Sequence, residues 1–171
     1  MRITTLLVAA LAAAGCSHMT SSSAPMAVAK LETTTGNNVT GTVKFTQSGD
    51  KVHMEARVAG LTPGAHGFHI HEKGDCSSGD GMSAGGHFNP LSKPHAHVAT
   101  PERHAGDLPP LEANASGVAA LDADLDIIKV GAGPTDVIGH AVIVHAAPDD
   151  FTTQPTGNSG ARVACGVIAK G

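Results

Sequence analysis

Two histidines separated by a single isoleucine, His69-Ile70-His71, sit inside the apolar run GFHIH. On a β-strand such a pair points to one face, roughly 6.6 Å apart along the strand. That spacing lets two imidazoles converge on one metal ion, whereas on a helix the same pair would diverge. The pair therefore calls for a strand and for a transition metal. An isolated pair of this kind is as readily two solvated side chains. Here it is not isolated, because the chain carries 11 histidines in all.

The flanking sequence also reads as strands. Val39, Gly41, Val43 and Phe45 alternate with Thr40, Thr42, Lys44 and Thr46. Val52, Met54, Ala56 and Val58 alternate with His53, Glu55, Arg57 and Ala59. Residues 47 to 51, QSGDK, separate the two runs as a turn, so the pair predicts a hairpin with His53 on its polar face. Further strands are expected over 28–35, 66–72, 117–123, 138–146 and 161–169. The chain has no Trp or Tyr, so Val, Ile, Leu and Ala must build the core, and its 21 Gly and 10 Pro imply many turns. Two stretches, 73–116 and 147–160, show no period. Irregular segments of that length inside a compact domain are usually functional. The pattern predicts a small antiparallel β-barrel or sandwich that supports two functional loops.

The N-terminus reads as an export signal. Arg2 precedes an apolar run, residues 6–12, that is too short for a permanent membrane span. Ala13-Ala14-Gly15-Cys16 follows. Small residues before a cysteine resemble a bacterial lipobox, in which Cys16 is lipidated and becomes the mature N-terminus. The alternative is ordinary signal-peptidase cleavage. The expected organisation is a signal peptide over 1–15, a lipid-anchored flexible tether over 16–29 with His18 in it, and one domain over 30–171. Apart from Cys16 the chain has two cysteines, Cys76 and Cys165. In an exported protein they form one disulfide, unless either serves a metal. The formal charge of −4 excludes a general nucleic-acid binder, which needs a basic face.

Beyond the first pair, His87 lies in GGHFNP, His95 and His97 are two apart, His104 and Asp107 lie in RHAGDLP, and His145 ends the run VIVH. Imidazole-rich sets favour copper or zinc, and one carboxylate among imidazoles suits tetrahedral zinc. His66 reads as a core histidine bonded to backbone. His140, an odd number of residues from His145, points to the opposite face of their strand.

Taken in order, GFHIHEKGDC, GGHFNP, RHAGDLP, VIVHAAPDD and GNSGARVACGVI resemble copper/zinc superoxide dismutase of the bacterial exported type, over roughly residues 30 to 171. That enzyme is itself a standing example of the β-sandwich, so part of the fold expectation comes with the resemblance. The resemblance implies an all-β fold, a Greek-key antiparallel barrel or sandwich of about eight strands with two long functional loops. It implies copper on His69, His71, His87 and His145. It implies zinc on His87, His95, His104 and Asp107, with His87 bridging and His95 preferred to His97. Cys76 and Cys165 match the family's disulfide, Arg162 its active-site arginine, and Asp149 a carboxylate that bonds both His69 and His95.

The implied reaction is dismutation of superoxide to oxygen and hydrogen peroxide, protecting the cell envelope from extracytoplasmic superoxide. The implied setting is periplasmic, or membrane-anchored through the N-terminal lipid alone, as a monomer or homodimer. Loss of Arg2 with the signal leaves ten basic against fifteen acidic residues, a net charge near −5 that repels a small anion at long range. Arg162 and the metals are the positive charges expected to offset it locally, with Lys73 and Lys129 as candidate contributors whose position the sequence does not fix. Residues 76–87 form a longer insert than in the eukaryotic type, and His140 stands where many relatives carry arginine. The rival readings are a metal store without redox activity and a zinc hydrolase. The second needs an open zinc position, which Asp107 closes.

Overall fold

A computed structural model describes residues 23 to 171. The expected signal peptide, Cys16 and His18 lie outside the described residues. Nine strands follow in order: β1 (Met26–Thr33), β2 (Thr40–Ser48), β3 (Lys51–Ala59), β4 (Gly64–His66), β5 (Phe68–His71), β6 (Leu111–Ala113), β7 (Val118–Leu125), β8 (Ala141–His145) and β9 (Arg162–Lys170). The only helical piece among the described residues is a 3-10 turn over Met82–Ala84. All strand pairings are antiparallel.

The large sheet runs β5-β8-β9-β1-β2-β3-β7, and β4 pairs separately with β6. β4 leads into β5 through Gly67. β6 turns into β7 through Asn114, whose N–H donates to the Val118 carbonyl at 2.9 Å. The small ladder thus joins the two outer strands of the large sheet and closes it into a barrel. The out-of-sequence order, with β1 between β9 and β2, is the Greek-key connection expected.

Alternation sets the wall. Val43 and Phe45 of β2, and Val52, Met54, Ala56 and Val58 of β3, point into the core, while their neighbours face out. Burying one such side chain contributes about 1.5–3 kcal/mol. The β2–β3 connection has two residues, and Gly49 takes φ 59° there, as a two-residue hairpin needs. β8 is buried on both faces. Val142 and Val144 enter the barrel core. Ala141 and Ile143 face outward and pack with Ala84 and Cys165 beneath the loop that follows β5.

Three expectations shift. β1 begins at Met26, inside the segment expected as tether. Ala27 and Ala29 are fully buried there, and such small side chains read as linker when only composition is considered. The strand expected over 66–72 is divided at Gly67 between two partner strands. β6 lies within the stretch 73–116 that showed no period, because a three-residue strand with Leu111 buried and Ala113 partly buried against the core is too short to show one.

Cys76 and Cys165 are bonded across a sequence separation of 89. Closing a loop of that length contributes about 4 to 5 kcal/mol on the chain-entropy model. The bond ties the loop after β5 to the middle of β9.

Candidate metal centre

The β5 alternation puts Phe68 and Ile70 in the barrel core and His69 and His71 on the outer wall. Both histidines are nevertheless buried, because the loops cover that wall. The chain folds back along β5 in a short ladder. The Phe88 N–H donates to the Ile70 carbonyl at 2.8 Å, and the Glu72 N–H to the Gly86 carbonyl at 2.9 Å. This brings His87 opposite His71. A third pass crosses at Gly106, whose carbonyl accepts from the Ile70 N–H and whose N–H donates to the Phe88 carbonyl, each at 2.9 Å. A Cβ at residue 106 would strike the Ile70 carbonyl oxygen. Glycine is required there, and it sets His104 and Asp107 beside His87.

His145 ends β8 on the same outer face. Its N–H bonds the Gly67 carbonyl at 2.9 Å, and Arg162 of β9 stands opposite it in the ladder. Two sets of four groups result: His69, His71, His87 and His145, and His87, His95, His104 and Asp107. Within each set the ligand atoms lie within 4.8 Å of one another, all residues are buried, and His87 belongs to both.

In the first set, one nitrogen of each ring is spoken for, or faces the second set. His69 Nε2 meets Asp149 Oδ2 at 2.5 Å. His71 Nδ1 donates to the Gly85 carbonyl at 2.9 Å, and His145 Nδ1 to the Gly160 carbonyl at 3.1 Å. The remaining nitrogens, His69 Nδ1, His71 Nε2, His87 Nε2 and His145 Nε2, are buried without a hydrogen-bond partner. Four such atoms in one place would be costly in a finished core. They fit a soft-to-borderline cation that takes imidazole nitrogen.

The second set is more compact. Asp107 Oδ1 lies 2.9 Å from His95 Nδ1, 3.1 Å from His87 Nδ1 and 3.5 Å from His104 Nδ1, and the last two nitrogens are 3.3 Å apart. A tetrahedron with its centre about 2.0–2.1 Å from each ligand atom has edges of about 3.3 Å, so this set has the size of a closed zinc site. Asp107 Oδ2 accepts from the Ala96 and His104 N–H groups, both at 3.1 Å, which fixes the carboxylate.

The segment 147–160 holds the two sets together. Asp149 Oδ1 meets His95 Nε2 at 2.9 Å while its other oxygen bonds His69, so one carboxylate orients a ring in each set. Gly157, at φ 70°, lies against that carboxylate and 2.6 Å from His95 Nε2 when a Cβ is added, so no side chain fits. Arg162, half-buried, donates from Nη1 to the Gly81 carbonyl and from Nη2 to the Gly85 carbonyl, both at 2.7 Å. Gly85 also accepts from His71, so the guanidinium is tied to the ring beside it.

Burial, with the neighbouring rings, pushes His145 down to about 3 and holds His71 well below its usual value. Burial also lowers His87, against the pull of Asp107, to about 4. For His95 burial acts downward too, but hydrogen bonds to Asp107 and Asp149 outweigh it and raise the ring to about 9. Burial opposes ionisation of Asp107 and Asp149, yet bonds from the imidazoles keep both carboxyls well below the usual range.

The metal-free protein is therefore expected to lose stability in both directions from near pH 6.5. Rings with depressed values contribute stability that is complete above their unfolded value and vanishes as pH falls toward 4 and 3. Below about pH 4 the two carboxylates add to that loss. The His95 contribution is complete below its unfolded value and fades as pH rises toward 9. A melting temperature for metal-free protein that stays level from pH 8 to pH 4 would contradict these environments.

Other expected residues lie outside the centre. His97 accepts from the Ala99 N–H at 3.1 Å, and its ring packs edge-on against Phe151. His66 is buried with Nδ1 2.7 Å from the His145 carbonyl, the backbone role expected of it. His53 pairs with Asp124 on the surface. His140 precedes β8 rather than lying in it. Its Nδ1 donates to the Glu72 carbonyl at 2.8 Å and its ring stacks on Phe88.

Lys129 does not serve the centre, because it bonds the Asp50 carbonyl in the β2–β3 turn. That turn adjoins the Met26 end of β1, whereas Arg162 lies by the Thr33 end, about 25 Å of strand away. Screening over about 8 Å at physiological salt removes its influence. Lys73 sits on the loop directly after β5, beside Asp75. Sequence reasoning missed Gln154, whose side-chain amide bonds both main-chain groups of His95, and the carbonyls of Gly81, Gly85 and Gly160. No local pattern marks a backbone oxygen as a ring's partner.

A model of the family described as copper/zinc superoxide dismutase matches residues 39–168. The chain is 46% identical over 139 residues to superoxide dismutase [Cu-Zn] 2 of Mesembryanthemum crystallinum, covering 77% of this chain and 88% of that protein. It is 42% identical to superoxide dismutase [Cu-Zn] of Onchocerca volvulus, covering 80% and 92%. It is 40% identical to the extracellular superoxide dismutase [Cu-Zn] of Brugia pahangi, covering 84% and 75%. Among solved structures, that of the clock protein EA4 superposes with a TM-score of 0.78 at 41% identity, covering 86% of this chain and 96% of that one.

Proposed function

The chain belongs to the copper/zinc superoxide dismutase family, and we propose that it is an exported member whose copper sits on His69, His71, His87 and His145 and whose zinc sits on His87, His95, His104 and Asp107. Its reaction takes two superoxide ions and two protons to oxygen and hydrogen peroxide. The observation that carries the assignment is the set of four buried imidazole nitrogens that lack any hydrogen-bond partner and face one another.

Copper held by His69, His71, His87 and His145 would supply one-electron redox chemistry, and zinc held by His87, His95, His104 and Asp107 would supply a fixed charge without cycling. Arg162 docks the anion beside His71 and His145. Its guanidinium keeps its charge at every working pH, and two backbone carbonyls fix its direction. Peroxide leaves readily only when protonated. His87 Nε2 faces that side and is the atom that carries the proton. His87 Nδ1, within the zinc set, keeps the ring in place meanwhile. Asp149 holds His69 and His95 in fixed orientations throughout.

Replacing Arg162 with Gln removes one charged contact to the substrate and is expected to slow turnover about tenfold, the effect of 1.4 kcal/mol. The comparison requires protein with the parent's copper and zinc content. Unchanged turnover would refute the docking role.

Export and anchoring rest on the N-terminal sequence, supported by a disulfide that fits an oxidising compartment and by similarity to the extracellular superoxide dismutase [Cu-Zn] of Brugia pahangi. Lipidation at Cys16 places the enzyme at the cell envelope, where it removes extracytoplasmic superoxide. Cells grown with labelled palmitate are expected to label the parent and not Cys16→Ala. Equal labelling of the two, or none of either, would refute the anchor.

A further inference from the structure

His95 lies in a stretch without regular structure, residues 89–100, where no strand ladder serves its peptide groups. Gln154 does so instead. Its Oε1 accepts from the His95 N–H at 2.8 Å, and its Nε2 donates to the His95 carbonyl at 2.8 Å. A side-chain amide offers a donor and an acceptor together, as a neighbouring strand does. Two further contacts join the same segments: Asp149 Oδ1 to the His95 ring at 2.9 Å, and Phe151 edge-on to His97 with ring centroids 4.7 Å apart. Fixing both peptide planes of a residue fixes its Cα–Cβ direction, and hence where its ring points.

We propose that Gln154 is a positioning residue for the zinc centre, holding the main chain of His95 so that Nδ1 stays aimed at the point shared with Asp107, His87 and His104. The proposal rests on the reading of His95 and Asp107 as zinc ligands. Gln154 is itself exposed, so the device acts from the surface and its loss need not disturb the core. It also means that the segment 147–160 secures His95 twice, through the ring by Asp149 and through the backbone by Gln154.

The test compares the parent with Gln154→Ala, Gln154→Glu and His95→Ala, using Zn²⁺ alone in competition with a chromophoric chelator. Residues that orient a metal ligand typically contribute 10- to 100-fold in affinity, so Gln154→Ala should weaken zinc about tenfold. Copper affinity should stay within about twofold, since His95 is outside the copper set. Gln154→Glu keeps the acceptor and loses the donor, and should fall between. Co²⁺ bound in place of zinc should show an altered visible band in Gln154→Ala, reporting a displaced ligand. The metal-free melting temperature should stay within about 2 °C of the parent, as for a surface change.

Zinc affinity within twofold of the parent in Gln154→Ala, while His95→Ala loses zinc, would overturn the positioning role and leave the centre standing. Equal weakening of both metals, or a large fall in metal-free melting temperature, would make Gln154 a general structural residue and also overturn it. Undiminished zinc binding by His95→Ala would overturn the zinc assignment itself, and the proposal with it.

Discussion

Replacing His145 with Ala is expected to reduce dismutase activity at least 100-fold while leaving zinc in place. His145 ends β8 with Nε2 buried and unpartnered among His69, His71 and His87. Loss of a residue proposed as a direct copper ligand should exceed the 10- to 100-fold typical of residues that only orient ligands. The zinc set does not include His145, and β8 remains anchored by Val142 and Val144 in the core. Activity per bound zinc and copper content by elemental analysis together give the readout. A variant that loses zinc as readily as copper, or that keeps most of its activity, would contradict the division into two sets.

The second large effect is expected at Asp149, which touches no substrate. Its two oxygens bond His69 Nε2 at 2.5 Å and His95 Nε2 at 2.9 Å. Asp149→Asn keeps the size but supplies an NH₂ where one ring needs an acceptor. One imidazole must then turn or change tautomer. Affinity for the metal of at least one set should fall about 10- to 100-fold, and the carboxylate's shared position predicts that both sets are disturbed. Stability of the metal-free variant toward acid should fall less steeply than the parent's below about pH 4, because a carboxylate held low by imidazoles has been removed. Parent-like affinity for both metals would show that the bridge between His69 and His95 is dispensable.

Much of the centre was legible because its logic is local. His69 and His71 obey the two-residue period of a strand, and β5 turns that period into two rings on one face. His145 obeys it again on β8, after Ala141 and Ile143. The hairpin of β2 and β3 was legible for the same reason, with alternating Val and Met and a glycine turn. The grouping of His87, His95, His104 and Asp107 came from family resemblance, since nothing local joins positions so far apart along an irregular stretch.

What escaped is set by long-range approach. Gln154 reaches His95 only because 147–160 folds over the zinc set, and no spacing encodes that. The carbonyl partners of His71, His145 and Arg162 are backbone atoms without side-chain identity. Lys129 looked available from charge alone, yet the barrel puts it by the far turn. β1 starts earlier than expected because two buried alanines resemble a linker until their alternation is seen against β2 and β9.

The central claim is that one imidazole, His87, is shared by two different metals. Anomalous diffraction from a crystal loaded with copper and zinc, with data collected at both absorption edges, tests it most directly. The account predicts a copper peak on the Nε2 side of His87, among His69, His71 and His145, and a zinc peak on the Nδ1 side, against Asp107. Peaks on one side only, or a ring of residue 87 with neither metal beside it, would contradict it.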